Sequence, residues 1–213
     1  MKCKLKHPLR YYIKRYLFLA AGLAIMAFGV AFSIKAALGT SPISSLPYVV
    51  NLLTPLSVGT ATILMHCVFI LIQICILRRK FQPVQLMQLP VALMFGYLTD
   101  FGIWAIEKIP CQGYLMQWVF CVIGIVLVAV GVSFEVTANV VVLAVCQVCP
   151  IKFGTMKVIF DVSLVVIASA LSLVFLNRLE GVREGTVAAA LFVGTISRQL
   201  NKPLGKLGEK ILN

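Results

Sequence analysis

"GVAFSIKA" occupies residues 29–36 and "GVSFEVTA" occupies residues 131–138, so the chain writes nearly the same eight residues twice, 102 positions apart. The match runs further at that offset. Phe18, Gly22, Ala27, Gly29, Val30, Phe32 and Ala36 meet Phe120, Gly124, Ala129, Gly131, Val132, Phe134 and Ala138. Gly59-Thr60 then meets Gly154-Thr155 at an offset of 95, and Ala92, Leu93 and Gly96 meet Ala190, Leu191 and Gly194 at an offset of 98. The order holds through three apolar segments in each half, residues 11–106 and 114–200. A three-crossing unit must enter a membrane from opposite sides in its two copies. The expected fold is therefore all-α, with six transmembrane helices as a 3+3 inverted repeat about an axis in the membrane plane.

Composition supports a membrane setting. Of 213 residues, 61% are hydrophobic and 12% are charged, where soluble domains carry about 25% charged residues. One water-facing core cannot hide that much apolar surface. The net charge of +12 sits in short clusters between apolar runs, a membrane pattern and not a nucleic-acid footprint. The basic start, Lys2 to Arg15, leads into an apolar run too long for the core of a cleavable signal peptide, so it reads as the first span. Seven cysteines are scattered mostly inside apolar runs, where Cys acts as a small hydrophobe. Cys146-x-x-Cys149 has no second pair and no nearby His, so neither a disulfide framework nor a metal site is expected.

About 20 apolar residues cross a bilayer as a helix. Six segments suit: Leu17–Ile34, Ser57–Leu77, Val84–Ile106, Tyr114–Phe134, Val158–Leu176 and the shorter Gly185–Ser197. Two shorter stretches remain. "GTSPISSLPYVVNLLTP" (39–55) reads as a half-helix over 42–53, with Ser41 as N-cap and Pro42 at the first helical position. "ANVVVLAVCQVCP" (138–150) is its degenerate counterpart after the fourth span. The fall in offset from 102 to 95 leaves that half seven residues shorter there.

Charge orients the chain. With six crossings, the six N-terminal cations, Arg78-Arg79-Lys80, Lys152 and Lys157, and Arg198, Lys202, Lys206 and Lys210 share one side. These are 15 of the 19 basic residues. Lys35, Lys108, Arg178 and Arg183 face the other. The positive-inside rule then puts both termini in the cytoplasm. The chain reads as one polytopic domain, 1–213, with basic tails 1–14 and 201–213.

Three stretches carry a family resemblance: "AALGTSPISSL" (36–46), "FGTMKVIFDVSLVVIASALSLVFL" (153–176) and "GVREGTVAAALFVGTISR" (181–198). They resemble the YczE/YyaS/YitT group of largely uncharacterised bacterial membrane proteins, over nearly the whole chain. The resemblance implies a bacterial inner-membrane protein and no stated activity. Relatives usually place a Gly/Pro-rich turn after the second-half step at Ala138, whereas this chain runs on through "NVVVLAVCQVCP" with no glycine.

Ionisable groups inside a membrane are costly and mark function or pairing. His66 and Asp161 are repeat counterparts at an offset of 95, Asp100 and Arg198 at 98, and Ser33 corresponds to Glu135. An acid matched by a base suggests charge partners across the half-interface. Packing or snorkelling explains Arg198 and Glu135, and His66 also reads as a satisfied core histidine. The turn Gly39-Thr40-Ser41 stands at a half-helix N-terminus, where free N–H groups favour anionic or polar groups, although a packed outer loop explains it equally. Seven-residue spacing of Gly22 and Gly29, and of Gly124 and Gly131, puts each pair on one helix face for close packing.

No hydrolase elbow, P-loop, zinc-protease or dinucleotide motif is present. No enzyme activity and no metal or cofactor is expected. The expected function is passage of a small solute, with or without a coupled ion, between the two repeats. Asp161, Asp100, His66, Arg198, Gly39, Thr40 and Ser41 are the pathway candidates. The alternative is a membrane scaffold or accessory subunit of another complex, with the same residues as helix glue.

Overall fold

The computed structural model describes residues 9–78, 86–138 and 153–212. Among them lie seven helices and no strand: α1 (Leu9–Ala36), α2 (Pro42–Leu53), α3 (Val58–Leu77), α4 (Gln88–Ile106), α5 (Tyr114–Ala138), α6 (Phe153–Leu176) and α7 (Glu184–Leu212). Four contain segments long and apolar enough to cross a membrane: Tyr16–Ala36, Val58–Cys75, Gln88–Ile106 and Tyr114–Phe134. These make the chain a multi-pass integral membrane protein. The fifth and sixth expected spans fall in α6 and α7, which are not among those four. The degenerate counterpart at 138–150 lies, beyond Ala138, outside the described residues.

The ends of the elements follow local chemistry. Ser57 caps α3, its hydroxyl accepting the Thr60 N–H at 3.1 Å, a bond that satisfies one of the orphan donors of the first turn. The N-terminus of α2 is as expected, with extended Ser41 before Pro42. Its cap differs in detail, because the Ser41 hydroxyl donates to Ser44 Oγ at 3.0 Å instead of serving the backbone. α1 and α6 are followed by Ala37 and Asn177 at φ 56° and 52°, the left-handed step that commonly ends a helix.

The largest interface is α1 against α5. A methyl group on Gly22 would meet Phe134 Cβ at 2.5 Å and Gly131 O at 3.3 Å, and one on Gly29 would meet Val128 N at 2.7 Å and Gly124 O at 2.9 Å. Glycine is therefore what lets the two backbones touch, which is how helices without a hydrophobic drive between them pack in lipid. As numbering rises on α1 it falls on α5, so the pair is antiparallel. Phe18 stacks on Phe134 at 4.4 Å and Phe32 tilts against Phe120 at 5.4 Å. Leu19, Leu23, Ala27, Val30, Phe95 and Val128 form the buried core around this crossing.

α4 runs parallel to α1. Phe28 meets Phe101 edge-on at 6.2 Å, Gly102 faces Ala31, and Lys35 Nζ donates to the Glu107 carbonyl at 2.6 Å. α7 likewise runs parallel to α5. Gly185 lies against Cys121 and Ser133 Oγ lies 3.2 Å from Ser197 Oγ, so the two helices advance in step. α3 packs antiparallel on α4, while α6 packs on α2. One departure concerns the C-terminal region. The sequence reading ends the last span at Ser197 with a basic tail from 201, whereas α7 continues as one helix through Arg198 and Pro203 to Leu212. Proline in a helix removes one backbone hydrogen bond, and the rest of the ladder carries the helix on.

Candidate functional site

The turn before α2 is built into a junction. Gly39 adopts φ +99°, and a side chain there would collide with Thr186 Oγ1 and stand 2.7 Å from Arg183 N. Thr40 N–H donates to the Gly181 carbonyl at 3.1 Å, and Gly185 N–H donates to the Leu38 carbonyl at 2.8 Å. The Arg183 guanidinium adds a bond to the Ala37 carbonyl at 3.2 Å. On the far side, Ser172 on α6 donates to the Arg178 carbonyl at 2.7 Å and accepts the Glu180 N–H at 2.8 Å, which holds the α6–α7 loop. Thr40, Ser41, Ser44 and Ser45 are all buried. The expected half-helix terminus is thus present, but its turn faces the 181–186 segment. Burial, and then the Glu180 carboxylate, push the Tyr48 phenol above its ordinary pKa, which keeps it neutral beside this loop. The role of "GVREGT" (181–186) as the partner of the Gly39 turn is not legible in the sequence, because the contact joins residues about 140 apart.

Asp100 has a different assignment from the one its repeat counterpart suggests. Its Oδ1 accepts the Gly59 N–H at 2.7 Å and its Oδ2 accepts the Ser57 hydroxyl at 2.6 Å. A carboxylate on α4 therefore completes the N-terminus of α3, where donors are unpaired and the helix dipole favours negative charge. Ser57 is the link, since its oxygen also lies 2.8 Å from Thr60 Oγ1. Arg198, the expected partner of Asp100, is exposed on α7. Ser57 and Gly59 are the site residues that sequence reading missed. The signal was the Ser57-x-x-Thr60 cap pattern, which says nothing of who else binds it.

His66 Nδ1 lies 2.8 Å from the Thr62 carbonyl one turn back, and the ring tilts against Phe69. It is spent within its own helix. Asp161 is half-buried on α6. The Glu135 side chain lies outside the described residues, and its counterpart Ser33 is buried, donating to the Gly29 carbonyl at 3.0 Å. The seven candidates do not converge on one centre. They divide between the turn junction and the α3–α4 seam, with His66, Asp161 and Arg198 elsewhere. Among the described residues no group of His, Cys, Asp or Glu is arranged to hold a metal ion.

The α3–α4 seam is tight at Gly96, whereas the residues that correspond to Gly59 and Ile63 by sequence offset, 154 and 158, lie where side chains are not described. On α4, a methyl group at Gly96 would stand 2.7 Å from both Gly59 O and Ile63 Cγ1, so the α3–α4 seam is closed backbone to backbone. At Gly194, the sequence counterpart of Gly96, a methyl group meets none of the described residues within 4 Å.

A family model described as a family of unknown function, DUF6198, matches residues 13–202. No curated protein and no solved structure matches the chain.

Proposed function

We propose that this chain, which belongs to the DUF6198 family, is a small-solute permease of the bacterial inner membrane. It crosses six times as a 3+3 inverted repeat, with both termini in the cytoplasm. Its similarity to the YczE/YyaS/YitT group fits that location. Reciprocal contacts support the repeat: Gly22 meets Gly131, the counterpart of Gly29, while Gly29 meets Gly124, the counterpart of Gly22. Phe18 with Phe134 and Phe120 with Phe32 exchange in the same way. Such exchange is what a two-fold axis through the α1–α5 crossing requires.

The observation that supports the transport reading is the unlike surroundings of two corresponding glycines: Gly96 is closed on Gly59, and Gly194 meets none of the described residues within 4 Å. In inverted-repeat transporters the two halves take different packings, and alternating access exchanges them. The open α7 face with Arg198 is then the mouth of the pathway, and Asp100 is the group that holds the other half shut. No catalytic step is part of this reading.

A second reading has its own support. Asp100 and the 39–41 turn spend hydrogen bonds on other parts of the fold, as helix glue in a scaffold or accessory subunit would, and His66 bonds within its own helix. The two readings separate by water access. In a variant freed of native cysteines, Gly194→Cys and Thr195→Cys should react with a membrane-impermeant thiol reagent, and modification should stop uptake in proteoliposomes screened with small anions, amines and metabolites. Cysteines at both positions that stay unreactive while a loop cysteine reacts would overturn the permease and leave the scaffold.

A further inference from the structure

We propose that the seam between α5 and α7 binds a monovalent alkali cation, held by the side-chain oxygens of Ser133, Ser197 and Asn201. This seam is the buried side of α7, separate from the exposed face of Gly194 and Arg198. The binding stands whether or not the chain transports anything.

An orphaned oxygen points to the site. Among the described residues, Asn201 Oδ1 is the one buried side-chain oxygen or nitrogen without a hydrogen-bond partner. Buried polar atoms are nearly always paired, and a lone one calls for an ion or a water. The need is greater in a membrane, where no bulk solvent stands in. Asn201 follows Ser197 by four residues on α7, so the two share a face, with their β-carbons about 6 Å apart. Side chains on a helix lean toward its N-terminus, which brings the amide back toward Ser197.

Ser197 is 6% exposed, and Ser133, which meets it from α5, is fully buried. Their hydroxyl oxygens lie 3.2 Å apart. The Ser133 proton goes to the Ala129 carbonyl at 2.8 Å in preference to the Ser197 carbonyl at 3.4 Å, so toward the Ser197 hydroxyl Ser133 is an acceptor. A hydroxyl has one proton and two lone pairs, and an amide oxygen has two lone pairs and no proton. Acceptors therefore outnumber protons among the three oxygens, which is the surrounding a cation takes up. None of the three groups carries a charge. Calcium and magnesium sites draw on carboxylates, so the ion suited to these ligands is monovalent.

The first half closes the corresponding seam without these groups. By sequence offset, Ser133, Ser197 and Asn201 answer to Ala31, Thr99 and Ile103. There Ala31 faces Gly102 of α4, and Thr99 donates to the Phe95 carbonyl of its own helix at 2.8 Å. One hydroxyl and no amide suffice between α1 and α4, so packing alone does not call for the polar oxygens between α5 and α7. Ser133 also stands one residue inside the end of the α5 apolar window at Phe134. A cation thus reaches the seam from the membrane–water boundary without crossing the hydrocarbon.

The test uses the full chain, purified in detergent, in chloride salts of sodium, potassium or choline at one ionic strength of about 150 mM. Choline carries the same charge but is too large to enter a seam between packed helices. Thermal unfolding should have its midpoint about 3 °C or more higher in sodium or potassium than in choline, the shift expected of a ligand whose Kd lies about tenfold below its concentration. Asn201→Ile, alone or with Ser133→Ala, copies the first half and should bring the three salts to one midpoint. Equal midpoints for the unmodified chain in all three salts would overturn the proposal, and are the result expected if a water serves Asn201 instead. A sodium or potassium effect undiminished in the double variant would overturn it too, by placing the cation elsewhere. The salt comparison uses the unmodified chain, so it decides the matter even where a variant folds poorly.

Discussion

Asp100 on α4 accepts the backbone N–H of Gly59 on α3 at 2.7 Å, so the charge of one helix completes the first turn of its neighbour. The second carboxylate oxygen takes the Ser57 hydroxyl. Hydrogen bonds to a charged group contribute about 1.5–3 kcal/mol each. Asp100→Ala should lower stability by roughly 2–4 kcal/mol, and Asp100→Asn by less, since its carbonyl still accepts from Gly59. The midpoint of unfolding in an SDS titration reads both. An Asp100→Ala midpoint equal to the parent's would remove the cap from the account.

The α1–α5 crossing predicts intolerance to volume. Gly29→Ala puts a methyl group 2.7 Å from the Val128 nitrogen. A backbone atom cannot step aside as a side chain can, so the helices must part, at about 1–3 kcal/mol. Gly29→Leu should abolish folded yield in detergent. A well-folded Gly29→Leu would mean that the helices are not in contact there.

Sequence-equivalent glycines should respond oppositely. Gly96→Ala forces a contact with Gly59 O and Ile63 and should destabilise by about 1–3 kcal/mol. Gly194→Ala meets none of the described residues within 4 Å and replaces the poorer helix former, so it should be neutral or stabilising by up to about 1 kcal/mol. Thermal unfolding of the two variants side by side checks this. Equal losses would show the two seams to be alike.

Two left-handed glycines separate strain from collision. Gly113 has φ +87° with nothing within 4 Å, whereas Gly39 has φ +99° and meets Thr186 and Arg183. Gly113→Ala should cost only the backbone term, about 1–2 kcal/mol. Gly39→Ala should cost clearly more, because the junction must also open. A smaller loss for Gly39→Ala than for Gly113→Ala would contradict the junction.

The proposed orientation predicts opposite labelling of two loops. In a cysteine-free background, Gln112→Cys should react with an impermeant reagent from outside the cell, and Lys80→Cys only after the membrane is opened. Position 45 is unsuitable as an outer reporter, because Ser45 is fully buried. Labelling of Lys80→Cys from outside would invert or break the six-span arrangement.

Hydropathy and local chemistry determined much of this protein by themselves. Apolar runs placed the ends of α3 to α6 to within about five residues, whereas α1 begins at Leu9, eight residues before its apolar run. Ser41-Pro42 marked the start of α2, and the repeated "GVxFxxxA" falls on α1 and α5, the two helices that pack most closely on each other among the described residues. These are properties of neighbouring residues, and a chain in lipid must satisfy its backbone locally, so they can be read in one dimension. Tertiary structure decided who meets whom. Asp100 was matched to Arg198 by numbering and instead serves Ser57 and Gly59, because unpaired donors at a helix start draw a carboxylate more strongly than an exposed guanidinium does. The Gly39 turn, free to face a ligand in sequence, is closed by Gly181, Arg183 and Thr186. α7 outran its apolar segment because its hydrogen-bond ladder, unlike its hydropathy, does not stop at Arg198. Gly96 and Gly194 carry the same sequence signal, and only packing closes the first on Gly59 and Ile63 while the second meets none of the described residues within 4 Å.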